Sequence, residues 1–242
     1  MLAHRSAVYD GWQTRRVSDG AVLERNDVRR GLVTHIVVFP DVTAIQRGAF
    51  AGCTSLSSIV FPDGLTKIGG EAFAECKSLV SLVLPEGLTT IGMWAFNECT
   101  TLSSINLPEG LTTIRNGTFC ECASLSSILL PVGLTTIGDF AFHGCSSLSS
   151  IIFPTGLTTI GFQAFRGCTS LSSVTFPEGL PTIGEAIFRD CTSLSSIVLP
   201  EGLTTIEGVA FYGCTSLSSV TFPEGLTTSE GLPSATAPPS PL

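Results

Sequence analysis

The sequence predicts a repeat solenoid of α/β type. Successive coils wind around one continuous core, with a parallel β-sheet along one face and short extended or 3-10 segments along the other. Three observations predict it. The stretch LPEGLTTIGMWAFNECTTLSSIN, Leu84 to Asn106, returns 23 residues later as LPEGLTTIRNGTFCECASLSSIL, and near-copies recur about eight times between Ile45 and Phe222. Eight of the nine cysteines, Cys53, Cys76, Cys99, Cys122, Cys145, Cys168, Cys191 and Cys214, fall 23 residues apart without exception. The apolar positions Leu88, Ile91, Phe96, Cys99, Leu102, Ile105 and Leu107 are spaced 3-5-3-3-3-2, which is neither the period of a helix nor that of a strand throughout. Each repeat is therefore one supersecondary unit in a quasi-one-dimensional array.

Within a repeat, LSSINL carries the strand signal, because Ile105 and Leu107 flank Asn106 in alternation. Pro85, Pro108 and Pro131 end these strands, since proline cannot donate into a ladder. Gly87, Gly110 and Gly133 follow two residues later and allow a tight turn. The remainder, LTTIGxxAFxxC, returns along the opposite side as short extended or 3-10 segments.

The ends depart from the pattern. Residues 1–31 form an irregular N-terminal cap region with six arginines, 32–228 a solenoid of about eight to nine coils, and 229–242 a Pro/Ser/Ala tail expected to be disordered. Val33, Ile36 and Val38 open a degraded first coil, expected to turn one residue sooner because Asp41-Val42 replaces the Gly-Leu step. At the far end the inward isoleucine becomes Ser229. An uncapped last coil of this kind offers a surface for self-association.

Composition excludes several classes of function. Residues 1–31 carry six basic and four acidic side chains, whereas the rest carry six basic and sixteen acidic ones. Such an array repels phosphate backbones, so nucleic acid is not an expected partner. No run of 18 apolar residues exists to span a membrane. MLAHRSAVYDGWQTRRVSDG contains no apolar signal core, and the expected location is cytoplasmic. The cysteine column is expected to hold free thiols acting as small buried hydrophobes.

The pattern L-x-x-I-x-L-P-x-G-L-x-x-I-x-x-x-A-F-x-x-C, from about Val33 to Thr228, resembles the BspA-type (treponemal-type) leucine-rich repeat. The resemblance implies a right-handed leucine-rich repeat coil serving in protein interaction or adhesion, with the concave sheet as a recognition face. It also implies an alternative to the cytoplasmic scaffold, namely an exported cell-surface adhesion or host-interaction protein.

The sequence itself points to a competing face. Four outward columns vary between repeats: those holding Met93 and Phe162, Trp94 and Phe140, Asn97 to Tyr212, and Glu98 to Asp190. They supply Trp94, Asn97, Phe140, His143, Phe162, Arg166, Arg189 and Tyr212 as partner-binding candidates, rich in the aromatic and arginine side chains that interface hot spots favour. These positions read as outward, and the alternative to a binding surface is neutral drift at positions free of packing constraint. The sheet face is monotonous, with a column nearly all serine from Ser58 to Ser219 beside the row Val60, Val83, Asn106, Leu129, Ile152, Thr175, Val198 and Thr221.

Chemistry is sparse. Cys120 and His143 share one column, one repeat apart, with Arg166 next, a set that can activate a thiolate. It lacks a cleft and a group to orient the histidine, so no catalytic residue is expected. Cys120, His143 and Glu121 are too few ligands for structural zinc, and no phosphate-loop or HExxH motif occurs. Neither cofactor nor metal is expected. The reading is a non-enzymatic scaffold whose long surface meets a protein partner.

Overall fold

A computed structural model of the chain describes residues 34–218, 220–224 and 226–228. The expected cap 1–31, the tail 229–242, Val33 and Ser219 lie outside the described residues.

Two systems of short parallel strands run along the solenoid. The first comes from the LSS segments. His35–Val37 pairs with Ser58–Val60, Ser81–Val83 with Ser104–Asn106, and Ser173–Thr175 with Ser196–Val198. Their middle residue is buried and its neighbours are outward or partly so, as the alternation predicts. The second system is made of two-residue strands at the Thr-Ile step, such as Lys67–Ile68 between Ala44–Ile45 and Thr90–Ile91. The far side of each coil is thus extended rather than 3-10. No helix occurs among the described residues, so the α/β type is corrected to an all-β coil. The reason is local: inward residues three and five apart turn the chain through tight bends before any helix can accumulate a second turn.

Register holds at 23 residues from His35↔Ser58 to Thr175↔Val198. The first coil does not turn early. Ala44 still pairs with Lys67, and Val42 N–H donates to Phe39 C=O as Leu65 N–H does to Pro62 C=O, so Val42 fills the leucine column. At the other end Thr205 pairs with Thr227 and Ile206 with Thr228, a one-residue contraction where the inward isoleucine is lost.

The core is a set of columns. Phe50, Phe73, Phe96, Phe119, Phe142, Phe165, Phe188 and Phe211 are fully buried and stack consecutively, with centroids 5.1–5.9 Å apart. All nine cysteines are buried, and none forms a disulfide. Each thiol from Cys76 to Cys214 in the column donates to the carbonyl of the phenylalanine 26 residues earlier, for example Cys168 Sγ to Phe142 O at 3.2 Å. That carbonyl also accepts a backbone N–H from the cysteine of its own coil, so both lone pairs are used. A cysteine recurs because the place needs a small apolar side chain that still donates.

Candidate interaction surface

Between Gly92 and Cys99 the chain forms an arc in which alternate N–H groups point in different directions. Ala95, Asn97 and Cys99 donate back within their own coil, to Gly92, Trp94 and Phe96. Trp94, Phe96 and Glu98 donate to Asn116, Thr118 and Cys120 of the next coil. This alternation is made at two left-handed residues per coil. One column is Gly48, Glu71, Trp94, Gly117, Phe140, Gln163, Ala186 and Val209; the other is Gly52, Glu75, Glu98, Glu121, Gly144, Gly167, Asp190 and Gly213. Among the described residues every non-glycine of positive φ lies in these columns. An L-residue there costs roughly 1–2 kcal/mol. Two of the four variable columns are therefore constrained in backbone rather than free, which removes the premise of the neutral-drift alternative for them.

The arc brings four candidates together. Trp94 reaches across Gly117 to stack on Phe140, 46 positions on, with centroids 6.2 Å apart and planes at 28°. A Cβ on Gly117 would overlap the Trp94 ring, so the missing side chain makes the contact possible. Phe140 then meets Phe162 edge-on at 5.3 Å and His143 edge-on at 6.0 Å. Trp94, Phe140 and His143 are half-buried and Phe162 is 36% exposed. They form a packed aromatic ridge rather than separate studs.

A second group adjoins it. Asp190 Oδ2 lies 3.4 Å from Arg166 Nε and 3.5 Å from Arg189 Nε, and the Arg189 guanidinium stands 5.2 Å from the ring centre of Tyr212. Arg166 also donates to Gln163 Oε1 at 3.1 Å. Asn97 joins neither group; among the described residues it bonds only through its backbone. Sequence reasoning did not single out Gly117, Gln163 or Asp190. The signal for Gly117 was present, as a glycine flanked by aromatics one repeat away on each side.

His143 Nε2 faces Glu121 Oε1 at 3.5 Å. Burial lowers the His143 pKa, against the raising influence of Glu121. The Cys120 thiol is buried and its pKa is pushed up to about 12, by desolvation first and then by Glu121 and Glu98. A thiol raised in this way stays protonated at neutral pH. No group of three metal-ligating side chains occurs among the described residues.

Elsewhere on the surface, the sheet face exposes Val60, Val83, Leu129, Ile152 and Val198 in a row, with Val132 beside it. The strand system is interrupted beneath Leu129 and Ile152, where only the bridges Asn106↔Leu129 and Ser150↔Ser173 remain.

Coils in a 23-residue register, a stacked phenylalanine column and one studded side define a leucine-rich repeat solenoid. The BspA type leucine rich repeat region matches in six copies over residues 31–148 and 135–231, and the chain belongs to that family. Solved structures are similar to it. A leucine-rich repeat protein of T. pallidum is 30% identical with a TM-score of 0.57, over 82% of this chain and 83% of that one. A leucine rich cell surface protein of Faecalibacterium prausnitzii is 29% identical with a TM-score of 0.53, over 76% of this chain and 58% of that one. The pneumococcal vaccine antigen PcpA is 25% identical with a TM-score of 0.58, over 81% of this chain and 57% of that one. The chain thus spans less than two thirds of the last two relatives. No curated protein matches it. Among the described residues no helix is long and apolar enough to cross a membrane.

Proposed function

We propose that the chain is a non-enzymatic scaffold that binds a protein partner along the arc face, through the Trp94–Phe140–Phe162–His143 ridge and the adjoining Arg166, Arg189 and Tyr212. One observation carries this reading. Trp94 and Phe140 hold left-handed backbone, φ 58 and 56, at places where Gly48 and Gly117 show that glycine serves the fold without strain. Bulky aromatics kept against that cost, on a half-exposed surface, are what a binding function retains. Membership of a repeat family that builds long surfaces supports it.

The test is capture from lysate of the source cells with the wild-type chain and with a variant carrying Trp94→Gly, Phe140→Gly, Phe162→Ser and Tyr212→Ser. The expected result is a partner held by the wild type and lost by the folded variant. Equal retention moves recognition to the sheet face, whose exposed Leu129 and Ile152 support that second reading; Leu129→Ser with Ile152→Ser then abolishes capture. Display at the cell surface is the alternative setting, supported by the F. prausnitzii relative. Protease treatment of intact source cells separates the two, since only a displayed chain is cut.

A further inference from the structure

Six basic residues follow Gly31 in the sequence, against sixteen acidic ones. Three of the six, Arg47, Lys67 and Arg115, line one groove of about 410 Å³, together with Glu71, Met93 and Trp94. They come from three different columns, and Lys67 and Arg115 each depart from a repeated residue. Lys67 stands where Thr90, Thr113, Thr136 and Thr159 stand in later coils. Arg115 stands where Gly69, Gly92, Gly138 and Gly161 stand. Arg47 belongs to the variable column that also supplies Met93. Positive charge from three columns and three coils thus gathers at one place.

The floor of the groove is backbone. A Cβ on Gly69 or Gly92 would collide with the main chain of the preceding coil, at Gln46–Arg47 and Gly69–Gly70, so the coils pack closely here and side chains rise only at the rim. Arg47 is paired with Glu71. The side chains of Lys67 and Arg115 are exposed and make no hydrogen bond or ion pair with another described residue. One wall is apolar, from Met93, 50% exposed, and from the end of the aromatic ridge at Trp94. An otherwise acidic surface repels anions, and a local basic groove reverses that field at one point.

We infer that this groove binds an acidic peptide segment, its carboxylates meeting Lys67 and Arg115 and an adjacent apolar side chain lying against Met93 and Trp94. The inference rests on the scaffold reading above and names the chemistry of the partner at one end of the same face. A volume of this size holds one or two side chains, so the groove reads a short motif, and the ridge beyond it supplies the remaining contact area.

The test uses the full chain and a fluorescein-labelled heptapeptide of alternating glutamate and phenylalanine, followed by anisotropy. A glutamine-for-glutamate peptide is the neutral control. The variant is Lys67→Thr with Arg115→Gly, which installs the residues that neighbouring coils already carry and so preserves the fold. The expected result is binding of the glutamate peptide, about tenfold weaker in the variant and in the neutral control, a loss of roughly 1.4 kcal/mol. Affinity also falls as salt rises from about 50 to 200 mM. Equal binding by wild type and variant, or equal binding of the two peptides, overturns the inference. So does displacement of the peptide by a sulfated oligosaccharide of comparable length at lower concentration, which assigns the groove to polysaccharide. Absence of peptide binding by a wild type that still captures a partner through the aromatic ridge overturns the groove alone and leaves the scaffold reading standing.

Discussion

The indole of Trp94 lies directly over Gly117, in the space that a side chain there would fill. Gly117 is also left-handed, at φ 63. Its glycine therefore answers two demands, one from its own backbone and one from a ring in the preceding coil.

Gly117→Ala meets both at once. The backbone cost alone is roughly 1–2 kcal/mol, and displacement of the indole adds to it. The expected result is a lower denaturation midpoint and red-shifted Trp94 emission, read in a Trp12→Phe background. In a Trp94→Gly background the same change costs less by at least about 0.5 kcal/mol. Additive costs show that the ring does not occupy that space.

Val209 is a β-branched residue held at φ 53, the least suitable type for left-handed backbone. Val209→Gly relieves roughly 1–2 kcal/mol of strain and returns part of it through the freer unfolded chain. A net gain of about 0.5–1 kcal/mol in urea denaturation is expected. A loss of more than about 1 kcal/mol contradicts the left-handed assignment.

The phenylalanine column carries the largest single packing contribution of each coil. Phe96→Ala, Phe142→Ala or Phe165→Ala removes a fully buried ring stacked on both sides, and each is expected to cost about 3–5 kcal/mol. Circular dichroism melts check this; a variant that melts with the parent places that ring outside the core.

The thiol column makes the fold sensitive to alkali. Burial raises the pKa of Cys76, Cys99, Cys122, Cys145, Cys168 and Cys191 well above the ordinary 9.0, and that of Cys214 to about 12. Between pH 9 and 12 the unfolded chain loses thiol protons that the folded chain keeps. By linkage, stability is whole below pH 9 and falls as pH rises through that window. The urea midpoint is expected to be flat in its thiol contribution up to pH 9 and to drop above it, and less steeply so in Cys168→Ala. A thiol reagent is expected to leave the native chain unlabelled at pH 8 and to label it after denaturation.

How much of this was legible beforehand differs by column. Leu88, Ile91, Phe96 and Cys99 recur at one spacing and are buried at that spacing, because a residue that must face the core of every coil is repeated in every coil. The strand at Ser104–Asn106 and the stop at Pro108 follow from alternation and from a missing donor, both local properties. The conformation of Trp94, Phe140 and Val209 was not legible. In Trp94 and Phe140 the left-handed backbone goes with N–H groups that reach the next coil, and the identities in this column, so often not glycine, conceal it.

The amino-acid sequence by itself determined the period, the family and the columns of Leu88, Ile91, Phe96, Cys99, Leu102 and Ile105, since these are set by large side chains and thiols that repeat with the chain. Only the tertiary structure decided which outward residues meet. Stacking coils places Trp94 against Phe140 and gathers Lys67 and Arg115 into one groove, each across about two repeats, and contacts between coils depend on what the intervening residue lacks as much as on what the pair carries.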